Sequence, residues 1–110
     1  MRLIDVTGLT EALRVFAAER DWERFHSPKN LAMALSVEAA ELVEIFQWST
    51  EEQSNAAKDD QVCRQAAADE IADVMIYATR IADRLGIDVA DAVAQKLRKN
   101  ALKHPSLRRT

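Results

Sequence analysis

Apolar and polar positions alternate along this chain with the spacing of helices, and the interruptions between apolar stretches are few. Leu9, Leu13, Phe16 and Ala17 recur at intervals of three and four, which predicts a helix starting between residues 5 and 7 and running to about residue 23. A second helix has a clear start. Ser27 is placed to cap it and Pro28 to occupy its first position, where a missing N–H costs nothing. It continues through residue 47, about 20 residues or about 30 Å. The polar residues 49–60 read as a loop with frayed helix ends. A third helix spans residues 61–85 and stops at Gly86, a natural left-handed end residue. Asp88 caps a fourth, which extends to about residue 102 before Pro105 forbids continuation. Residues 106–110 read as a frayed basic tail. Apart from 49–60 the connections are short, so neighbouring helices are expected to pack antiparallel. The expectation is a single all-α domain over residues 1–110, a protomer of the four-helix-bundle type.

Helical wheels for the two longest segments put acids where apolar residues belong. With Glu38 at zero, Leu31, Leu35, Leu42 and Ile45 all fall within about 60° of it. Glu41 lies about 60° away at the edge of the stripe, and Glu44 about 120° away on the same side. With Glu70 at zero, Cys63, Ala67, Val74, Tyr77, Ile81 and Leu85 again fall within about 60°, and Asp73 lies about 60° to the side. Each helix thus carries an acid in its core face and a second acid one turn on.

Composition narrows the setting. The chain has 110 residues, 48% of them apolar, with two glycines and two prolines. That is too few turn-formers for a many-stranded β fold and favours helices. Fifteen Lys+Arg against eighteen Asp+Glu leave a net charge of −3. Such a chain lacks the basic footprint of stable nucleic-acid binding. The single cysteine, Cys63, excludes an internal disulfide and a multi-cysteine zinc site, and is most simply a small apolar-like residue. No apolar run approaches the roughly 20 residues needed to cross a bilayer. The first residues lack the pattern of a signal peptide. No membrane association and a cytoplasmic location are expected.

The acids then raise a physical problem. An isolated buried carboxylate tends to take up a proton, and two carboxylates about 5 Å apart repel by roughly 3 kcal/mol at an effective dielectric near 20. No Arg or Lys lies centrally on either stripe; Arg80 and Arg84 flank the third helix near Asp73. A hard divalent cation resolves the conflict, and oxygen-only ligands select Mg²⁺, with Mn²⁺ as a substitute. The candidate metal ligands are Glu38, Glu41, Glu70 and Asp73. A di-iron site would need Glu-x-x-His on two helices, and the one such spacing, Glu23 to His26, is broken by the Ser27-Pro28 cap. With open coordination positions on a hard cation, the natural ligand is a polyphosphate. Glu41 and Glu44, at the solvent side of the stripe, are the candidates for the catalytic base. Lys29 and Asn30 lie in the first turn of the second helix, where an anion can bind. Lys96 and Asn100 share the inner face of the fourth helix with Val89, Val93 and Leu97, where a polar Asn needs partners.

These features resemble the all-α nucleotide pyrophosphohydrolases of the MazG-like group, and most closely its dCTP pyrophosphatase branch. The resemblance rests on Glu38-Ala-Ala-Glu41 followed by Glu70-Ile-Ala-Asp73. It extends to the stretch from Phe16 to Trp22, to Phe25-His26-x-Pro28-x-Asn30-Leu31 and to Glu41-Leu-x-Glu44-x-Phe46-Gln47-Trp48. Asp73-Val-x-Ile-Tyr77 and Lys96-x-x-x-Asn100 complete it. It implies hydrolysis of a (deoxy)nucleoside triphosphate to the monophosphate and pyrophosphate, with the four acids holding Mg²⁺ on the phosphates. It also implies that Trp22 and Trp48 enclose the base, with Tyr77 beside the metal and Lys96 and Asn100 at the phosphate or sugar. The dCTP-preferring relatives place a histidine on the first helix where this chain has Leu13, which leaves the base preference open. A broader house-cleaning pyrophosphatase for non-standard deoxynucleotides would share every metal ligand.

The second helix is apolar on its other side too, through Met33, Val37 and Val43. A helix hydrophobic all round must be covered all round. Four short helices cannot do this alone, so a homo-oligomer is expected. The resemblance implies a tetramer built as a dimer of dimers, with a dimer as the alternative. A non-catalytic helical interaction module would use the same faces without needing a metal.

Overall fold

A computed structural model describes residues 2–107. Five helices follow one another: α1 (Thr7–Glu19), α2 (Pro28–Phe46), α3 (Glu51–Ala56), α4 (Gln61–Leu85) and α5 (Val89–Lys103). Among the described residues there is no strand. The fold is all-α, as the periodicity predicts, with four long helices and one short one. Residues 108–110 of the expected basic tail lie outside the described residues.

Local chemistry accounts for the element ends. Ser27 Oγ accepts the Asn30 N–H at 3.1 Å and Pro28 opens α2. Asp60 accepts the N–H groups of Val62 and Cys63 at the start of α4. Gly86, at φ 67°, ends α4 with its N–H on Asp83 and the Ile87 N–H on Ala82, the paired pattern that closes a helix. The same closure ends α1 earlier than its apolar spacing suggests. Asp21 takes the left-handed conformation at φ 54°, its N–H bonds Ala18 and the Trp22 N–H bonds Ala17. Aspartate tolerates this region better than most residues. The chain then makes a single 3₁₀ turn over Glu23–Phe25 instead of prolonging the helix to residue 23.

The stretch read as a loop contains α3. Its start is a capping box in which Thr50 Oγ1 accepts from the Gln53 N–H and the Gln53 side chain accepts from the Thr50 N–H. A 3₁₀ turn over Ala57–Asp59 leads into α4.

The scaffold is the α2–α4 pair. Leu31, at the start of α2, lies by Ile76 and Tyr77 of α4, and Phe46, at its end, lies by Cys63 and Ala67. The two helices therefore run antiparallel. α1 packs on the second half of α4, and Arg14 bonds Asp83 across that contact. Among the described residues α5 leaves the end of α4 with Ala90 buried at its start and without extensive packing on another helix. The radius of gyration is 17.1 Å, against about 13 Å for a compact chain of this length. Among the described residues the buried apolar side chains are Ala17, Leu31, Ala82 and Ala90. Met33, Val37 and Val43 on the outer side of α2 are more than half exposed. A single copy thus leaves much apolar surface in water.

Candidate functional site

The antiparallel register brings the acid turn of α2 against the acid turn of α4. Glu38, Glu41 and Glu70 each offer a carboxylate oxygen, all within 4.8 Å of one another. Glu38 and Glu70 are half-buried, and Oε2 of each is a buried atom with no hydrogen-bond partner. Among the described residues none of the three forms an ion pair. The cost appears at Glu70. The adjacent Glu38 carboxyl, burial, and the neighbouring Glu41 raise its carboxyl from 4.5 to about 7. Two buried, unpartnered carboxylate oxygens facing each other fit a divalent cation, which would supply the missing partner to both.

The other predicted residues fall into three places. Glu44 lies beside the cluster in an open recess of about 420 Å³ with Glu41, Ile45, Ala66, Asp69 and Glu70. Asp73, one turn along α4 from Glu70, is outside the three-carboxylate group and lines a neighbouring cavity of about 310 Å³. Trp22 and Tyr77 line that cavity too, with Leu13, Phe16, His26 and Arg80 among its other walls. Its wall is aromatic: Phe16 meets Trp22 edge to face at 5.6 Å between centroids, Trp22 and His26 are 6.1 Å apart, and the Arg20 guanidinium lies 3.5 Å over Phe16. The left-handed Asp21 swings Trp22 back towards α1 and into this wall.

Asn30, Trp48, Lys96 and Asn100 are not brought to the cluster or the cavity within one chain. The Asn30 amide donates to the Phe25 carbonyl at 3.0 Å and so braces the turn before α2. Trp48, beyond the end of α2, is 89% exposed. Lys96 and Asn100 ride on the projecting α5.

Asp69, Phe16, His26 and Arg80 join these walls without having been singled out for them by the sequence. Asp69 lies about 100° off the α4 stripe, so the wheel gives no reason to pick it. Arg80, flanking on the wheel, is 4% exposed. Its burial comes from α1 covering the side of α4 that a two-helix view leaves wet. The apolar spacing of α1 was the one signal for that cover.

A family model described as MazG-like matches residues 33–108. The chain belongs to the MazG-like family. Within the match lie both acid turns. The chain is similar to dCTP pyrophosphatase 1 of Homo sapiens, 42% identical over 91 residues, which is 83% of this chain and 54% of that protein. It is 41% identical to dCTP pyrophosphatase 1 of Bos taurus over 90 residues, 82% of this chain and 53% of that one. This MazG-like chain spans about half the length of these curated relatives. Its fold superposes on a pyrophosphatase from Archaeoglobus fulgidus with a TM-score of 0.83 and 38% identity, covering 90% of this chain and 91% of that one.

Proposed function

We propose that this chain is a Mg²⁺-dependent nucleoside triphosphate pyrophosphohydrolase, acting on dCTP or a modified dCTP to give the monophosphate and pyrophosphate. The observation that carries the reading is the pair of buried, unpartnered oxygens of Glu38 and Glu70 opening beside an aromatic-walled cavity. The curated relatives named dCTP pyrophosphatase 1 support the reaction class and the substrate.

The residues divide the work. Glu38, Glu41 and Glu70 hold the cation, with Asp73 completing the set from the cavity side. A Mg²⁺ ion held by these residues would supply neutralisation of polyphosphate charge and polarisation of the α-phosphorus. Glu41 and Glu44, at the open side of the cluster, hold the attacking water and accept its proton. Trp22 and Tyr77 flank the base in the cavity. The hard oxygen set also accepts Mn²⁺.

A homo-oligomer, a tetramer with a dimer as the alternative, covers the exposed Met33, Val37 and Val43 and gives α5 a surface to pack on. In that assembly Trp48, Lys96 and Asn100 reach a site from a neighbouring copy, and Asn30 contributes from the start of α2. The lone Cys63 is compatible with a reducing, cytoplasmic setting.

The test is a panel of canonical and modified deoxynucleoside triphosphates with Mg²⁺, scored for pyrophosphate against orthophosphate, with light scattering on the same sample. Pyrophosphate from a cytosine nucleotide by an oligomer is the expected result. Equal turnover across bases favours the broader house-cleaning pyrophosphatase, for which Leu13 in the cavity wall leaves room. No turnover with or without Mg²⁺ points to a non-catalytic module.

A further inference from the structure

The cavity's polar wall contains a feature that the proposed reaction does not use. Arg80, with its side chain 5% exposed, donates Nε–H to His26 Nδ1 at 3.3 Å and an N–H of its NH1 group to Asp83 at 3.2 Å. Asp83 is held in turn from α1 by Arg14, whose Nε–H reaches it at 2.9 Å. The direction of the first bond is forced. A guanidinium has donors and no acceptor, so the imidazole nitrogen facing it carries no proton. A neutral His26 must then keep its single proton on Nε2. His26 lines the same cavity as Trp22. With Nδ1 occupied, the polar atom it has left for a ligand is Nε2–H.

The surroundings keep the ring neutral as well as oriented. Burial, Arg80 and Arg84 of α4 all hold His26 below the ordinary histidine range, opposed by Glu23 from the preceding turn. Asp73 and Tyr77 share the cavity with it, and the Trp22 ring lies beside it.

We propose that Arg80 is a positioning residue that fixes His26 as an Nε2-protonated donor, and that His26 uses this donor to read an acceptor, a carbonyl oxygen or bare ring nitrogen, on the edge of a bound nucleobase. This rests on the reading of the cavity as the base site. It adds a residue on the far flank of α4, about 15 Å along the helix from Glu70, whose effect on recognition runs through a histidine.

Nitrogen-15 NMR of the histidine rings in the full chain, during titration with deoxycytidine monophosphate, tests this without requiring turnover. The unsubstituted protein is expected to show His26 at neutral pH with bare Nδ1 and protonated Nε2, and the Nε2 signal is expected to move on binding. In Arg80→Met the two tautomers should mix and affinity should fall about 10-fold, the equivalent of one hydrogen bond. His26→Phe should fall as far, and the double variant no further. His26→Gln, whose carbonyl can accept from Arg80 while its amide donates, should retain most of the affinity. A protonated or mixed Nδ1 in the unsubstituted protein overturns the proposal, whether or not any variant folds. So does absence of binding, a silent Nε2 signal, or unchanged affinity in Arg80→Met. Binding with the expected ring signals but no pyrophosphate release would instead overturn the catalytic reading and leave this one standing.

Discussion

At Glu70, α4 faces two carboxylates of α2, among the described residues no Lys or Arg pairs with any of the three, and two buried oxygens there have no hydrogen-bond partner. At Arg80 and Asp83, about three turns further on, the same helix carries charges that are each answered: Arg80 by Asp83 and His26, Asp83 by Arg80 and Arg14. Both regions are at least partly buried, so the difference is not one of solvent. A fold that needs a buried charge for its own stability completes its partners, because an unanswered one is costly. The closed network therefore belongs to the architecture of the α1–α4 contact and the cavity wall. The open cluster finds no such partners within the chain and, on the proposed reading, takes one from a bound cation. The comparison makes opposite predictions for removing a charge at the two places.

The largest effect is expected at the open cluster. Glu70→Gln keeps the side-chain volume and removes a proposed cation ligand, so pyrophosphate release should drop at least about 100-fold, as loss of several kcal/mol of metal assistance implies. The metal-free protein should behave the other way and gain stability. The sign follows from the proton balance. Glu70 titrates near 4.5 when unfolded and about 7 in the cluster, so between these values the folded state binds more protons than the unfolded one. Stability of the metal-free chain should then fall as pH rises from about 4.5 to about 7. Thermal melts across that range should show the fall in the unsubstituted chain, a flatter curve with millimolar Mg²⁺, and a flatter curve in Glu70→Gln without metal. Identical pH curves for the two chains would mean that the carboxylates do not burden the fold.

Asp83→Ala should do the reverse. It strands Arg80, 4% exposed, and removes what holds Arg14. Breaking a buried pair from one side costs about 3 kcal/mol or more, a large part of the stability of a small domain. Denaturant melts should register that loss, while the cation ligands stay in place and Mg²⁺ still raises the melting temperature. Loss of the Mg²⁺ response along with stability would show that the two regions are not separate.

How far each region was legible in the sequence follows the same division. The start of α2 and the end of α4 could be read residue by residue, because Ser27-Pro28 and Gly86 act within one turn. The converging acids could be read too, since Glu38 and Glu70 lie inside the stripes by which the two longest helices must meet. The early end of α1 could not, because its left-handed residue is an aspartate and not a glycine. α3 was hidden by its six residues, too short to show a period, although Thr50 and Gln53 carried the capping signal. The burial of Arg80 depends on where α1 lies against α4, which is tertiary information that a single wheel does not hold. The same applies to Trp48, Lys96 and Asn100, whose proposed roles depend on surfaces beyond the elements that carry them.

The smallest effect sharpens the comparison from within the closed network. Arg14 also bonds Asp83, but its side chain is 58% exposed where that of Arg80 is 5%. A half-exposed guanidinium exchanges its carboxylate for water at little cost, and its attraction is screened by salt. Arg14→Ala should therefore destabilise far less than Asp83→Ala, and the difference from the unsubstituted chain should shrink further in high salt. The arrangement that remains, Asp83 with Arg80 and Arg80 with His26, is sufficient to keep both buried groups paired. Denaturant melts of the two variants at low and high salt decide the point. If Arg14→Ala were as damaging as Asp83→Ala, the clamp between α1 and α4, and not the burial of Arg80, would be what the network supplies to the fold.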